Sequence, residues 1–241
     1  MPTAAMLVIG NEILSGKVVD TNSPYLAKQL RELGVDLERI LTIPDDVELI
    51  AREVRALSEG FDHVFTSGGI GPTHDDMTME AVALAFGREL ELNQNMCQRI
   101  EHASGGPANE SQRKMAMLPA GAKVIDAGDL WFPIVVVENV HIFPGIPQLL
   151  QKKFESIRDR FRGDPFHLRE VYVKPHESEI AEALHALLGD YPQLMLGSYP
   201  RIGEPEYRVL LTLESRDPGY LEQALASLLE RLPGDAIHRV G

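Results

Sequence analysis

Thr66-Ser67-Gly68-Gly69-Ile70-Gly71-Pro72-Thr73-His74-Asp75-Asp76-Met77-Thr78 joins an apolar strand to a helix through three glycines and two adjacent carboxylates. Phe61 to Thr66 has the short apolar look of a buried strand, and Met77 to Phe86 reads as a helix closed by Gly87. The stretch is therefore a loop at the carboxyl end of a strand, just ahead of a helix N-terminus. Glycines let backbone approach a ligand closely and take positive φ, while free N–H groups and the helix dipole favour an anion there. Asp75 and Asp76 then need a cation or a proton beside that anion. A hard divalent ion meets the need, because it takes few carboxylates and borrows its other ligands from phosphate and water. A plainer reading of the same residues is a strand-to-helix turn with Asp76 as N-cap and Glu80 in the first turn. Neither Gly-x-x-x-x-Gly-Lys-Ser/Thr nor Gly-x-Gly-x-x-Gly fits, so the ordinary P-loop and dinucleotide fingerprints are absent.

Working outward, short apolar strands alternate with amphipathic helices, which implies βαβ units and a mostly parallel sheet with helices on both faces, a three-layer α/β/α fold. The pattern places strands at Ala4 to Gly10, Val35 to Ile43, His63 to Ser67, Ile134 to Val137 and Val140 to Phe143. Asn22 to Leu33 carries Leu26, Leu30 and Leu33 at helical spacing and ends at Gly34, and Val47 to Leu57 repeats the pattern. Ligands of open α/β sheets bind beyond the carboxyl ends of strands. Glu12, Asp45, Asp46, Asp75, Asp76 and the loop Pro144-Gly145 all follow strands and can converge on one crevice.

Each of these residues also has a local reading. Glu12 is either a loop charge or a carboxylate for a ribose hydroxyl or a metal. Lys17 is a solvated lysine or a point charge for phosphate. Within Asp20-Thr21-Asn22, Thr21 or Asn22 is the favoured cap of the following helix, and Asp45 or Asp46 caps the helix from Val47. His74 stands beside two carboxylates and is read as a polar neighbour or substrate contact ahead of a general base. Trp131 and Phe132, in a loop from Gly128 to Pro133, either cover an aromatic ligand or plug the sheet. The histidines lack metal-ligand spacing, and no Gly-x-Ser-x-Gly elbow is present.

Composition sets the class. A chain of 241 residues with 44% hydrophobic content can bury a good core. A net charge of −13 repels nucleic-acid phosphates. The single cysteine, Cys97, rules out a disulfide framework and reads as a small buried hydrophobe. Without an export signal or an apolar run long enough to span a bilayer, a cytoplasmic protein with no membrane partner is expected.

Asp164-Pro165 reads as a linker, dividing a domain at 1–163 from a smaller one at 164–241. The latter reads as strand (Leu168 to Val173), helix (Glu177 to Leu188), two strands (Leu194 to Tyr199, Tyr207 to Leu213), helix (Gly219 to Leu232) and a tail strand. Judged too small to bury much alone, this α+β unit is expected to dock on the first domain or on a second copy, giving a homodimer. It lacks a basic Gly-x-x-Gly loop, which disfavours RNA binding.

The glycine loop, with Gly68-Gly69-Ile70-Gly71 and Asp76-Met77-Thr78, resembles that of the molybdopterin-binding, MoaB/Mog-like superfamily. Together with Ile9-Gly10-Asn11-Glu12-Ile13-Leu14-Ser15-Gly16-Lys17, Asp20-Thr21-Asn22 and Phe143-Pro144-Gly145-Ile146-Pro147, it is similar to the amino-terminal domain of CinA proteins and to the equivalent domain of eukaryotic FAD synthase. Ile146 departs from the Pro-Gly-Pro-Pro usual in the CinA group, which favours the FAD-synthase-like branch. The small domain looks like the KH-like second domain of CinA proteins. The resemblance implies a metal-dependent hydrolase that cleaves the pyrophosphate of an ADP-containing nucleotide, ADP-ribose or FAD-like. Alternatives are pterin chemistry in molybdenum-cofactor assembly and a non-catalytic nucleotide or pterin sensor. It places Asp76, Asp75 and Glu12 in catalysis, with Asp75 and Asp76 on a divalent ion, magnesium or another first-row ion, and allows a monovalent cation beside it. It assigns substrate or phosphate contact to Gly68, Gly69, Gly71, Thr73, Thr78, Asn22, Lys17, Asp45, Pro144 and Gly145. No segment here corresponds to the deamidase or FAD-synthesising domains, so the first-domain site is expected to act alone or with a separate partner.

Overall fold

The computed structural model describes residues 1–128 and 130–241, and for residue 131 the backbone alone. Contacts divide the chain into two compact units, Met1–Gly163 and Asp164–Gly241. In the first, the elements run β1 (Thr3–Ile9), α1 (Asn11–Leu14), α2 (Asn22–Glu32), β2 (Asp36–Ile43), α3 (Val47–Gly60), β3 (His63–Ser67), α4 (Thr78–Ala85), β4 (Leu90–Leu92), α5 (Gln94–Ser104), α6 (Glu110–Lys114), β5 (Met117–Pro119), β6 (Lys123–Ala127), β7 (Leu130–Val137), β8 (Val140–Phe143) and α7 (Pro147–Ile157).

The main sheet has the order β2-β1-β3-β8-β7-β6. Its first four strands are parallel, and β7 and β6 join antiparallel. Alternation along β1 builds both faces. Ala5, Leu7 and Ile9 pack with α3, α4 and α5, whereas Ala4, Met6 and Val8 pack with α2 and α7. The same alternation sends Val64 and Phe65 to opposite sides, so both faces are apolar and the strands read as continuous hydrophobic runs. This is the expected three-layer arrangement with a mostly parallel sheet. Register places Ile9 beside Ile43, Val8 beside Ser67, and Ser67 beside Phe143. The loops after β1, β2, β3 and β8 therefore leave from one edge.

One sequence expectation is corrected here. Leu130 to Pro133 belong to β7 and not to a loop. The β6–β7 register shifts between Ile125 and Ala127, near where Pro133 has no N–H to give a ladder. Phe132 is a buried member of the core under α3 to α5, as the plug reading required, while the side chain of Trp131 lies outside the described residues.

The second unit contains β9 (His167–Val173), α8 (Glu177–Asp190), β10 (Met195–Pro200), β11 (Val209–Ser215), α9 (Pro218–Arg231) and β12 (Ile237–Val240). Its antiparallel sheet runs β10-β11-β9-β12. It also closes a core of its own: 14 buried residues, among them Val171, Leu187, Leu211, Leu213, Leu221 and Leu228. The size argument for docking or dimerisation thereby loses its premise. Among the described residues, no helix is long and apolar enough to cross a membrane.

Candidate active site

Two strand ends are tied to the start of α2 by one side chain. Asn22 opens α2 and is only 4% exposed; its amide donates to Ser67 Oγ at 2.9 Å and to the Gly145 carbonyl at 2.8 Å. Its Oδ1 is buried with no hydrogen-bond partner among the described residues. Thr21 holds the N-cap position of α2 without a side-chain bond, and Asp20 accepts instead from the N–H groups of Asn22 at 2.9 Å and Ser23 at 3.1 Å. Backbones approach closely here: a Cβ on Gly145 would lie 3.4 Å from Gly68 Cα, and one on Gly68, whose φ is +106°, would meet the Ile9 carbonyl at 2.1 Å. No side chain fits at Gly68.

The glycine loop is strapped from the inside by the first turn of α4. Thr78 is fully buried; its N–H donates to the Gly69 carbonyl at 3.1 Å and its hydroxyl to the Gly68 carbonyl at 2.9 Å. The Gly68 N–H donates to the Phe143 carbonyl at 3.2 Å. Gly68 and Thr78, expected as phosphate contacts, spend these groups on fastening the loop. The N–H groups of Gly69, Ile70 and Gly71 have no partner among the described residues.

Beyond the glycines, Thr73 donates its N–H at 2.8 Å and its hydroxyl at 2.6 Å to Asp76 Oδ2. Its role is likewise to hold a carboxylate in place. Asp76 does not cap α4, whose N-cap position is Met77 without a side-chain bond. The exposed Asp75 is kept below the usual carboxylate range, first by the Thr73 hydroxyl, then by its own backbone N–H, with His74 and Lys114 adding positive charge. One hydroxyl proton serves one acceptor at a time, and the 2.6 Å distance assigns it to Asp76. His74 is 97% exposed, 3.9 Å from Asp75.

Lys114, at the end of α6, is the residue that sequence reading missed. Its Nζ donates to the Thr73 carbonyl at 2.5 Å. With Gly69, Gly71, Asp76 and Glu80 it lines a cavity of about 360 Å³, in which it is the one cation among the described residues. The signal was the capping box formed by Asn109 and Gln112, which starts a five-residue helix and aims its basic end here.

Other expected site residues lie elsewhere. Glu12 is exposed over Gly10 and borders a separate crevice of about 80 Å³ with Asn22, Ser67 and Gly145. Asp45 accepts from the Asn11 N–H at 2.9 Å and pins the loop after β1, while Asp46 caps α3 through the Leu49 N–H at 2.8 Å. Lys17 is exposed and lines neither hollow. Pro144 follows β8 beside Gly145. No group of three or more His, Cys, Asp or Glu is poised for a metal among the described residues. Larger hollows of about 540 and 660 Å³ in the second unit are open grooves without a glycine loop.

A parallel sheet with a glycine loop and paired carboxylates at its carboxyl edge defines a class, and the comparisons place the chain in it. Residues 5–162 match the family described as a probable molybdopterin binding domain, so the chain belongs to that family, and residues 165–240 match the FAD synthase middle domain. A protein of Archaeoglobus fulgidus is 37% identical over 229 residues, covering 94% of this chain and 96% of that one. The probable FAD synthase of Caenorhabditis elegans is 32% identical over 98% of this chain, which spans only 51% of that protein. The crystal structure of CinA from Thermoplasma acidophilum, a protein of unknown function, aligns with a TM-score of 0.62 at 30% identity, over 66% of this chain and 97% of that one. The resemblance carried by the four motifs is borne out.

Proposed function

We propose that the first unit hydrolyses the pyrophosphate of an ADP-containing nucleotide, ADP-ribose or FAD-like, with a divalent ion held by Asp75 and Asp76. The observation that carries this reading is one cavity lined by Gly69 to Gly71, whose N–H groups have no partner among the described residues, together with Asp76 and Lys114. Opposite charges around free backbone donors suit a phosphate that arrives with a cation. Asp76 on the cavity wall and the exposed Asp75 next to it in sequence are the carboxylates offered to such an ion. Thr73 occupies only Oδ2 of Asp76, Oδ1 has no hydrogen bond among the described residues, and Asp75 is ionised at neutral pH. Hard oxygens from two carboxylates, with phosphate and water completing the shell, match a magnesium-like ion. When bound, that ion supplies Lewis-acid polarisation of the phosphoryl group and a water of lowered pKa.

The chain's own groups do the rest. Gly69, Ile70 and Gly71 donate to phosphoryl oxygens, Lys114 offsets developing negative charge as a point cation, and Thr73 keeps Asp76 from rotating away. The name of the nematode relative supports a flavin nucleotide as one substrate class, and the family description keeps a pterin ligand as the second reading. The test is incubation of metal-reconstituted protein with ADP-ribose, FAD, NADH and a pterin panel, following AMP release by chromatography. Turnover of an ADP-containing compound is expected. Binding without turnover would replace the hydrolase by a sensor, and tight binding of molybdopterin alone would select the cofactor pathway.

A further inference from the structure

A sheet edge offers backbone groups that another strand can pair with, and soluble proteins blunt such edges with charged residues and bulges. Three of the four edge strands of the two larger sheets carry both devices. β2 holds Asp36, Glu38 and Arg39, β6 holds Lys123 and Asp126, and β12 holds His238 and Arg239. Along each of them the register against the neighbouring strand shifts once, at Glu38, between Ile125 and Ala127, and at His238. β10, Met-Leu-Gly-Ser-Tyr-Pro from Met195 to Pro200, has neither. It contains no charged residue and runs against β11 from end to end without a shift. Pro200 marks only its last position.

Alternation turns Leu196 to the helix-covered core and Met195, Gly197 and Tyr199 to the other face of the sheet. Met195 and Tyr199 are exposed, and so is Ile202 in the loop that follows. Three of the six exposed large hydrophobic residues of the second unit therefore lie on this one strand and its continuation. A Cβ on Gly197 would come within 2.6 Å of the Tyr199 ring, so the ring lies back over the middle of the strand. A chain of net charge −13 thus keeps one straight, uncharged edge.

We propose that β10 is an interaction surface whose partner is β10 of a second copy, the two strands pairing antiparallel about a two-fold axis at Gly197 to make one continuous sheet. A charged strand laid along this edge would set its charges against apolar groups, whereas a second β10 brings none. In this register Tyr199 of each copy faces Met195 of the other, and an aromatic ring beside a thioether is a favourable cross-strand pair. Gly197 leaves room at the axis, where the two rings come closest. Pairing of a strand with itself closes the edge on both copies, so the product is an isologous dimer and not a growing fibre. The argument needs no shortage of core in the second unit.

The test is light scattering on the full chain across micromolar concentrations, for wild type, Met195→Lys, Tyr199→Glu and the double variant. Wild type is expected to move from monomer to dimer mass as concentration rises. Each single substitution enters a dimer twice and sets an unpaired charge at the joined edge, so it is expected to raise the dimer dissociation constant about tenfold or more, with circular dichroism unchanged. The double variant sets an ammonium opposite a carboxylate in both halves of the interface. It is expected to recover dimer mass where both single variants are monomeric. Should one single variant lose its circular dichroism spectrum, the other carries the comparison with wild type. Monomer mass for wild type at every concentration, a dimer indifferent to the single substitutions, or a double variant as dissociated as the singles overturns the proposal.

Discussion

Lys153 is the strongest electrostatic anomaly in the first unit and offers a sharp test of its packing. It lies on α7, is 1% exposed, and donates from Nζ to the carbonyls of Phe132 at 2.8 Å and Pro133 at 2.6 Å, with the Phe132 ring centroid 4.5 Å away. Burial pushes its pKa from 10.5 down to about 7. The two carbonyls and the ring favour the ammonium and pull the other way. Unfolded, the lysine keeps its proton to about pH 10; folded, it releases it near neutrality. Between those limits the unfolded chain binds more protons, so stability rises with pH, by at most about 1.4 kcal/mol per unit. Lys153→Met preserves the stem but removes the proton and leaves two carbonyls without their donor, at about 1–3 kcal/mol each. Urea unfolding followed by fluorescence of Trp131, the single tryptophan, is to be run at pH 7.5, 8.5 and 9.5. The stability of wild type minus that of the variant is expected to grow by about 2 kcal/mol across this span. Other titrating groups cancel in the difference. Parallel curves would refute the reasoning, showing that carbonyls and ring outweigh burial and hold the proton past pH 9.5.

Three further outcomes follow from the site and the core. Asp76→Asn retains an oxygen for Thr73 but loses the charge, so turnover of the substrate found above is expected to fall about a hundredfold or more with an unchanged melting curve; undiminished activity rejects the assignment. Thr78→Val strips the donor from the buried Gly68 carbonyl and should lower the urea-unfolding stability by about 1–3 kcal/mol, with Thr78→Ser milder because the hydroxyl remains. His141, buried against His63, has its pKa pushed from 6.5 down to about 4 by burial. The unfolded chain then binds the extra proton between those values, so stability is lost as pH falls through that window; His141→Phe should flatten the acid limb, which thermal unfolding at pH 4 to 7 will show.

Much of this molecule is legible from residue order because its strands are short apolar runs between turn signals. β1, β3 and β8 are buried on both faces, and the second unit alternates clearly enough to give its order of strands and helices. What escaped has physical causes. β4 and β5 have three residues each, too few for any periodicity, and with them went α6 and Lys114. Pro133 hid the first half of β7, since proline argues against strand unless a bulge excuses it. Residue type also says nothing about direction. Thr73, Thr78, Asn22 and Asp45 are polar residues at the right edge of the sheet, yet each has its donors or acceptors turned to the backbone or to a neighbouring side chain. The 14-residue core of the second unit was invisible to an argument from length alone.

Asn22 gives the site a mechanical property. Because one amide grips both Ser67 at the end of β3 and Gly145 beyond β8, the two loops cannot part without breaking at least one buried hydrogen bond. The outer segment from Pro72 to Asp76, by contrast, is fastened mainly within itself and to Lys114. The floor of the crevice is thus a stiff anvil under a looser rim, and any give needed to admit or discharge a ligand falls to the rim, where the carboxylates sit.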